Sequence, residues 1–244
     1  WTPSAGHGSP FTRGSGGGHY VILFPELEGE LIRANAQDSN SPEKCFARAR
    51  EQGDLLVMPH YHGGRAPVDP EISRVVEIAA WDGKIVETED DHPDAVYPTL
   101  NRGYRLGIVA GTDHGGEGIT ARRNGEMFGV RADSVTRDAI REGIKAHRTT
   151  AHVHTRTLIY FALGDTEMGE EVQLSGRAPR EFTVRVACRP HAAQIKLVRN
   201  GETVAGYNNA VGEQAESNIV ECTLADDEPP DGEAWYLVKV TLHG

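Results

Sequence analysis

Apolar residues fall into two textures along this chain, and the change between them lies near residue 150. In the first texture, short and nearly continuous apolar runs stand between stretches rich in Gly, Pro and Ser. His19-Tyr20-Val21-Ile22-Leu23-Phe24 is stopped by Pro25, and Asp54-Leu55-Leu56-Val57-Met58 ends at Pro59. Arg74-Val75-Val76-Glu77-Ile78-Ala79-Ala80 and Arg105-Leu106-Gly107-Ile108-Val109-Ala110 repeat the theme. Runs of this length, bounded by breakers and lacking alternation, predict strands buried on both faces.

Between them, Ser41-Pro42-Glu43-Lys44 carries a cap residue, a proline at the first helical position and an early acid, and it predicts a helix that continues through Phe46, Ala47 and Ala49 to Gly53. A second helix is predicted over Asp133 to His147, with Ser134 or Asp133 as cap and Val135, Ala139, Ile140 and Ile144 on one face. Trp1 to Gly18 is dominated by Gly, Ser and Pro and predicts a loop. Strands alternating with helices give an α/β expectation, with functional groups on the loops past the strand ends.

The second texture begins at about Thr149. Leu158-Ile159-Tyr160-Phe161, Phe182-Thr183-Val184-Arg185-Val186, Gln194-Ile195-Lys196-Leu197-Val198 and Trp235-Tyr236-Leu237-Val238-Lys239-Val240 include apolar/polar alternation, with turns such as Asn200-Gly201 between them. Alternation with period two marks half-buried antiparallel strands, so a β-sandwich is expected over 151–244, after an α/β portion over 1–150. No internal repeat at a fixed period is present.

Composition narrows the function classes. Lys plus Arg number 25 against 36 Asp plus Glu, a formal net charge of −11, the wrong sign for a protein whose main partner is a phosphate backbone. Nucleic acid is therefore not the expected partner. No apolar run approaches the roughly 20 residues of a membrane-spanning helix. Cys45, Cys188 and Cys222 are widely spaced and odd in number, which suggests neither a disulfide framework nor a Cys-based zinc site and leaves a Cys188–Cys222 bridge open. Trp1-Thr2-Pro3 is neither an initiator methionine nor a signal peptide, so the natural start is expected upstream and the compartment is unreadable.

The candidate chemistry lies in the histidines. His19 opens a strand, His60 and His62 follow the end of another, and His114 follows Asp113 past a third. Imidazoles and a carboxylate drawn from several strand ends suit a hydrolytic Zn, Mn or Fe site, because neutral nitrogen and anionic oxygen hold the cation and leave room for water. Any one of them alone is equally well a hydrogen-bonded loop histidine. Glu77 and Glu87 are candidate supporting carboxylates or simply solvated strand-end acids, and Arg102 and Arg105 could grip a phosphate or carboxylate bidentately or form surface ion pairs. His152 and His154 form a second His-x-His near the change in texture. Gly14 to Gly18 is not a phosphate loop, since no Lys-Ser or Lys-Thr follows.

Taken in order, several blocks resemble the polymerase-and-histidinol-phosphatase (PHP) superfamily, in its DUF3604-like branch. They are the Gly-Gly-His-Tyr-Val-Ile-Leu-Phe stretch ending at Phe24, Met58-Pro59-His60-Tyr61-His62, Val75-Val76-Glu77-Ile78, Gly103 to His114, the Thr136-Arg137-Asp138-Ala139-Ile140 helix, Arg199-Asn200-Gly201 and Trp235 to Val240. The resemblance covers nearly the whole chain. It implies part of a distorted (β/α)7 barrel followed by an antiparallel β-sandwich, with two or three divalent ions (Zn, Mn or Fe) at the strand ends. It further implies hydrolysis of a small-molecule phosphoester or related bond by metal-bound hydroxide.

The implied ligands are His60, Asp113 and His114. His114, Asp113 and His62 take the catalytic roles, and Arg102, Arg105 and His19 contact substrate. Two departures stand out. Asp113 is followed directly by His114 where the family spaces the pair by one residue, and the family's first-strand His-x-His is absent. The chain is thus expected to begin after the first part of the barrel, completed by an upstream segment, and to be inactive as a free-standing piece. The alternative is a non-catalytic binding or accessory module with an incomplete metal site.

Overall fold

The computed structural model describes residues 19–23, 41–52, 56–60, 68–80, 84–92, 95–111, 126–153, 155–189, 192–209 and 218–243. The chain first forms β1 (His19–Leu23), α1 (Pro42–Glu51), β2 (Leu56–His60), β3 (Val75–Ala80), β4 (Lys84–Ile85), α2 (Val96–Asn101), β5 (Gly107–Ala110), β6 (Met127–Val130), α3 (Arg137–Lys145) and β7 (Thr149–His152). Strands alone follow: β8 (Thr157–Leu163), β9 (Thr166–Glu167), β10 (Arg180–Cys188), β11 (Ala192–Arg199), β12 (Glu202–Asn208), β13 (Ile219–Asp226) and β14 (Tyr236–Leu242).

This architecture corrects the expected (β/α)7 barrel. Among the described residues the fold is β-rich, with five small sheets and three helices, and only β3 and β5 pair in parallel. β1 pairs antiparallel with β2, β3 with β4, and β6 with β7. The physical reason is that hydropathy reports how deeply a strand is buried and is silent about its direction. A parallel barrel needs a helical crossover after each strand, whereas here β4 turns back on β3 as a hairpin. No helix among the described residues is long and apolar enough to cross a membrane.

Local sequence explains the helices. Ser41 caps α1 in extended conformation, its hydroxyl accepting from Lys44 N at 3.3 Å, and Pro42 sits at the first helical position. Cys45, Phe46 and Ala49 form its buried face. α3 starts later than expected because Thr136, not Asp133 or Ser134, supplies the cap, accepting from Ala139 N at 3.3 Å. Val135 consequently lies outside the helix at 98% exposure, and Ile144 takes the buried position.

In the carboxy-terminal half two antiparallel sheets, β13-β10-β8-β9 and β12-β11-β14, pack face to face. Phe182, Val184 and Val186 alternate inward from β10 and meet Ile195 and Leu197 of β11 and Leu224 of β13, all 3% exposed or less. Phe161 stacks on Phe182 at 5.2 Å and Tyr236 tilts against it at 4.7 Å. Full burial of each aliphatic side chain contributes roughly 1.5–3 kcal/mol, so these positions dominate the stability of this half. No disulfide forms. Burial raises the thiol pKa of Cys188 and of Cys222.

A second core joins the two halves. Val76, Val96, Tyr97, Leu100 and Leu106 pack with Val198 and with the half-buried Trp235 and Leu237. Trp235 Nε1 donates to Asn101 Oδ1 at 2.8 Å, Trp235 lies 5.4 Å from the Tyr97 ring, and Lys239 Nζ donates to Glu87 at 2.7 Å.

The strands that frame the candidate site lie side by side. In the β3–β5 ladder Val75 faces Gly107 and Glu77 faces Val109. On the other side of β5, a Cβ on Gly107 would lie 3.2 Å from His147 Cα, and two residues later Thr149 Oγ1 donates to Ile108 O at 3.0 Å. β3 and β5, which run parallel, therefore end on one common edge, with Thr149 of β7 beside the start of β5.

Candidate functional site

Of the expected site residues, the described backbone brings together His60, an expected metal ligand, and His19, an expected substrate contact. In the β1–β2 ladder His19 and His60 are direct partners, one at the first residue of β1 and the other at the last of β2. Direct partners in an antiparallel pair hold their Cβ atoms about 5 Å apart. His62, Asp113 and His114 lie outside the described residues, as does His154.

Glu77 is 4% exposed and sits on β3 near the edge where β3 and β5 end. Its Oε1 lies 2.7 Å from the point that a Cβ on Gly111 would occupy. Only glycine fits there without displacing the carboxylate. A buried acid is thus held against the last described residue before Thr112-Asp113-His114.

Glu126 was not singled out in the sequence. It directly precedes β6, whose first residue Met127 faces His152 at the end of β7. It is 4% exposed, and neither carboxylate oxygen has a hydrogen-bond partner. The one signal for it in the sequence is an acid set directly against the Met127–Val130 strand, and nothing in hydropathy marks such an acid as buried.

The two arginines lie elsewhere. Arg102 caps the end of α2, exposed, and its Nη2 donates to Thr99 Oγ1 at 3.0 Å. Arg105 is exposed and pairs with Glu171 at 2.8 Å and Glu233 at 4.0 Å. Both precede β5, whereas Gly111 follows it. At about 3.3 Å per residue the six steps from Arg105 to Gly111 span up to about 20 Å, so the structure does not bring these arginines to the carboxylates.

Glu87 has a clear structural role, because it accepts from Lys239 and faces Tyr97. Burial first, and then the Glu87 carboxylate, push the Tyr97 hydroxyl well above its ordinary range. His152 is 8% exposed with Nε2 2.8 Å from Thr150 Oγ1, and burial lowers its pKa. Among the described residues, no three His, Cys, Asp or Glu side chains gather into a metal-binding group.

What the described residues offer is two buried carboxylates, Glu77 on β3 and Glu126 directly before β6. Hard oxygen ligands of this kind suit divalent cations and pair naturally with imidazole. No family model matches the chain, and neither a curated protein nor a solved structure matches it.

Proposed function

We propose that this chain contributes to a divalent-metal-dependent hydrolase acting on a small-molecule phosphoester or related bond, at the edge where β3 and β5 end. The observation that carries the reading is Glu77, a carboxylate 4% exposed and seated in the space that the missing Cβ of Gly111 leaves free. The motif resemblance at Pro59-His60 and Asp113-His114 supports the same edge.

In this reading His60, Asp113 and His114 hold the cation, and Glu77 adds negative charge beside Gly111. When bound, the cation supplies Lewis acidity that activates water and offsets charge developing on the substrate. His62 is the group proposed to accept and return the proton, since an imidazole titrates nearest neutral pH. His19, the register partner of His60, is the proposed substrate contact.

The test is metal analysis of protein purified without chelator. Bound Zn, Mn or Fe is expected, and His60→Ala should lose most of it, because imidazole is a principal ligand for these ions. A full complement in His60→Ala would remove that residue from the site. Metal-free protein that takes up none on addition of Zn, Mn or Fe would instead favour the non-catalytic accessory module.

A further inference from the structure

We infer that one end of the β-sandwich holds a binding site for a small organic carboxylate with an apolar body, gripped by Arg180. The site uses no residue of the proposed metal centre and is independent of the hydrolase reading. Three observations carry it.

The first is a convergence of polar side chains where the sandwich core stops. The inner-face positions of β10 run Val186, Val184, Phe182 and then Arg180, and those of β13 run Leu224 and then Asp226. Arg180 and Asp226 are direct cross-strand partners, as are Arg199 and Tyr236 on the facing sheet. Two guanidinium groups thus gather around one buried carboxylate.

The second is how that charge is divided. Arg199 donates to both Asp226 oxygens, and the Tyr236 hydroxyl donates to one of them at 2.6 Å. Burial first, and then the bond to Asp226, push the Tyr236 hydroxyl up to about 12. It therefore keeps its proton and accepts from Arg180 Nη1 at 2.9 Å. That bond uses one of the five Arg180 donors, and no carboxylate among the described residues pairs with this arginine. The guanidinium also lies over the Tyr236 ring, 5.6 Å from its centroid, which fixes its direction. Its Nε and Nη2, without partners among the described residues, form the fork that receives a carboxylate bidentately.

The third is a cleft beside this arginine. Its volume is about 310 Å³, at the small end of the range for small-molecule sites, and Arg180 is the one charged residue lining it. Leu163, Leu174 and Pro179 supply apolar wall, while Gln173 and Ser175 bring side chains able to donate hydrogen bonds. The neighbouring Arg177 is committed to Asp231, which ties the loop forming one wall to the segment before β14. A single directed cation beside apolar wall selects a monoanion with an apolar body over a multiply charged, fully polar one.

The experiment is a titration of the full chain with benzoate, followed at the methyl resonances of Leu163 and Leu174. Benzamide, the neutral counterpart of the same shape, and inorganic phosphate are titrated alongside. Saturable benzoate shifts are expected at both leucines, with benzamide and phosphate binding about tenfold or more weakly, because the charge-assisted fork needs a carboxylate. Arg180→Gln should weaken benzoate by about tenfold or more. Since Arg180 also supports Tyr236, a second variant, Leu174→Glu, sets a repelling charge on the exposed wall away from the Asp226 cluster, and it should weaken benzoate but not benzamide. No saturable benzoate shift, equal affinity for benzamide, or benzoate affinity unchanged in both variants would overturn the site. Phosphate binding as tightly as benzoate would overturn the ligand class and with it the proposal.

Discussion

At the scale of single residues, acid is the condition to which this structure is most exposed. Asp226 keeps its charge at 2% exposure because its oxygens accept from Arg199 at 2.8 and 2.9 Å, from the Tyr236 hydroxyl at 2.6 Å and from Glu228 N at 3.3 Å. Burial pushes its pKa up, but these hydrogen bonds and the guanidinium charge outweigh burial and hold it below the usual carboxylate range. Burial likewise lowers the pKa of His147 and of His152. An unfolded chain takes up protons on these imidazoles near pH 6.5, where the folded chain resists them, so it binds more protons just below that pH. Stability should therefore be full above about pH 6.5 and fall as the pH drops toward the lowered histidine values. A second loss is expected below about pH 3.8, as Asp226 is forced to protonate. Urea unfolding at a series of pH values checks this, and His152→Gln should flatten the first decline. An unchanged first decline in that variant would show that His152 is not its source.

At the scale of elements, glycine positions report how tightly turns are clamped. Gly169 follows β9 at φ +93°, and a Cβ there would meet Ala146 O at 2.1 Å, a backbone atom that cannot swing aside. Gly176 has a similar φ of +78° with nothing within 4 Å. Gly176→Ala should therefore cost about 1 kcal/mol from backbone strain alone, and Gly169→Ala about 3 kcal/mol or more, because the turn must also separate from the end of α3. Equal losses in the two variants would show that the close approach at Gly169 is not maintained in solution. Elements also show where sequence reading stopped. The α1 start was legible because Ser41-Pro42 acts locally, and Phe182-Thr183-Val184 was legible because alternation records a sheet with two unlike faces. The α3 start was not, since Asp133, Ser134 and Thr136 are all good caps and only tertiary packing selects Thr136. α2 follows Ala95, which supplies no side-chain cap, and holds Pro98, so it carries no helical signal and owes its form to burial of Val96, Tyr97, Thr99 and Leu100. Glu126 escaped for a related reason, because burial of a charged residue reflects neighbours distant in the chain.

At the scale of the whole molecule, the halves are not independent beads. Residues of both contribute to one core around Tyr97, Val198 and Trp235, and the Lys239–Glu87 pair bridges the same junction. Strand direction, which decides between a barrel and a set of small sheets, is a property of this scale, and the apolar runs could not record it. The β11–β12 hairpin reaches into the junction through a two-residue turn in which Asn200 and Gly201 both take positive φ, 50° and 95°, as a type I′ turn requires. Asn200 Oδ1 accepts from Trp235 N at 3.0 Å, and a Cβ on Gly201 would touch the Tyr97 ring at 3.5 Å. Asn-Gly is also the pair most open to spontaneous deamidation, because the unhindered glycine nitrogen can attack the asparagine amide carbon, close a succinimide and release ammonia. Folded protein should resist this, since the hydrogen bond from Trp235 holds the amide and the left-handed backbone keeps the attacking nitrogen away from it. Peptide mapping after prolonged incubation should find Asn200 intact in folded protein and converted in urea, and equal conversion in both would mean the turn offers no protection. Once formed, an isoaspartate would insert an extra backbone carbon into the turn that touches Tyr97. Chemical ageing at one hairpin turn would then be felt as loosening between the two halves of the molecule.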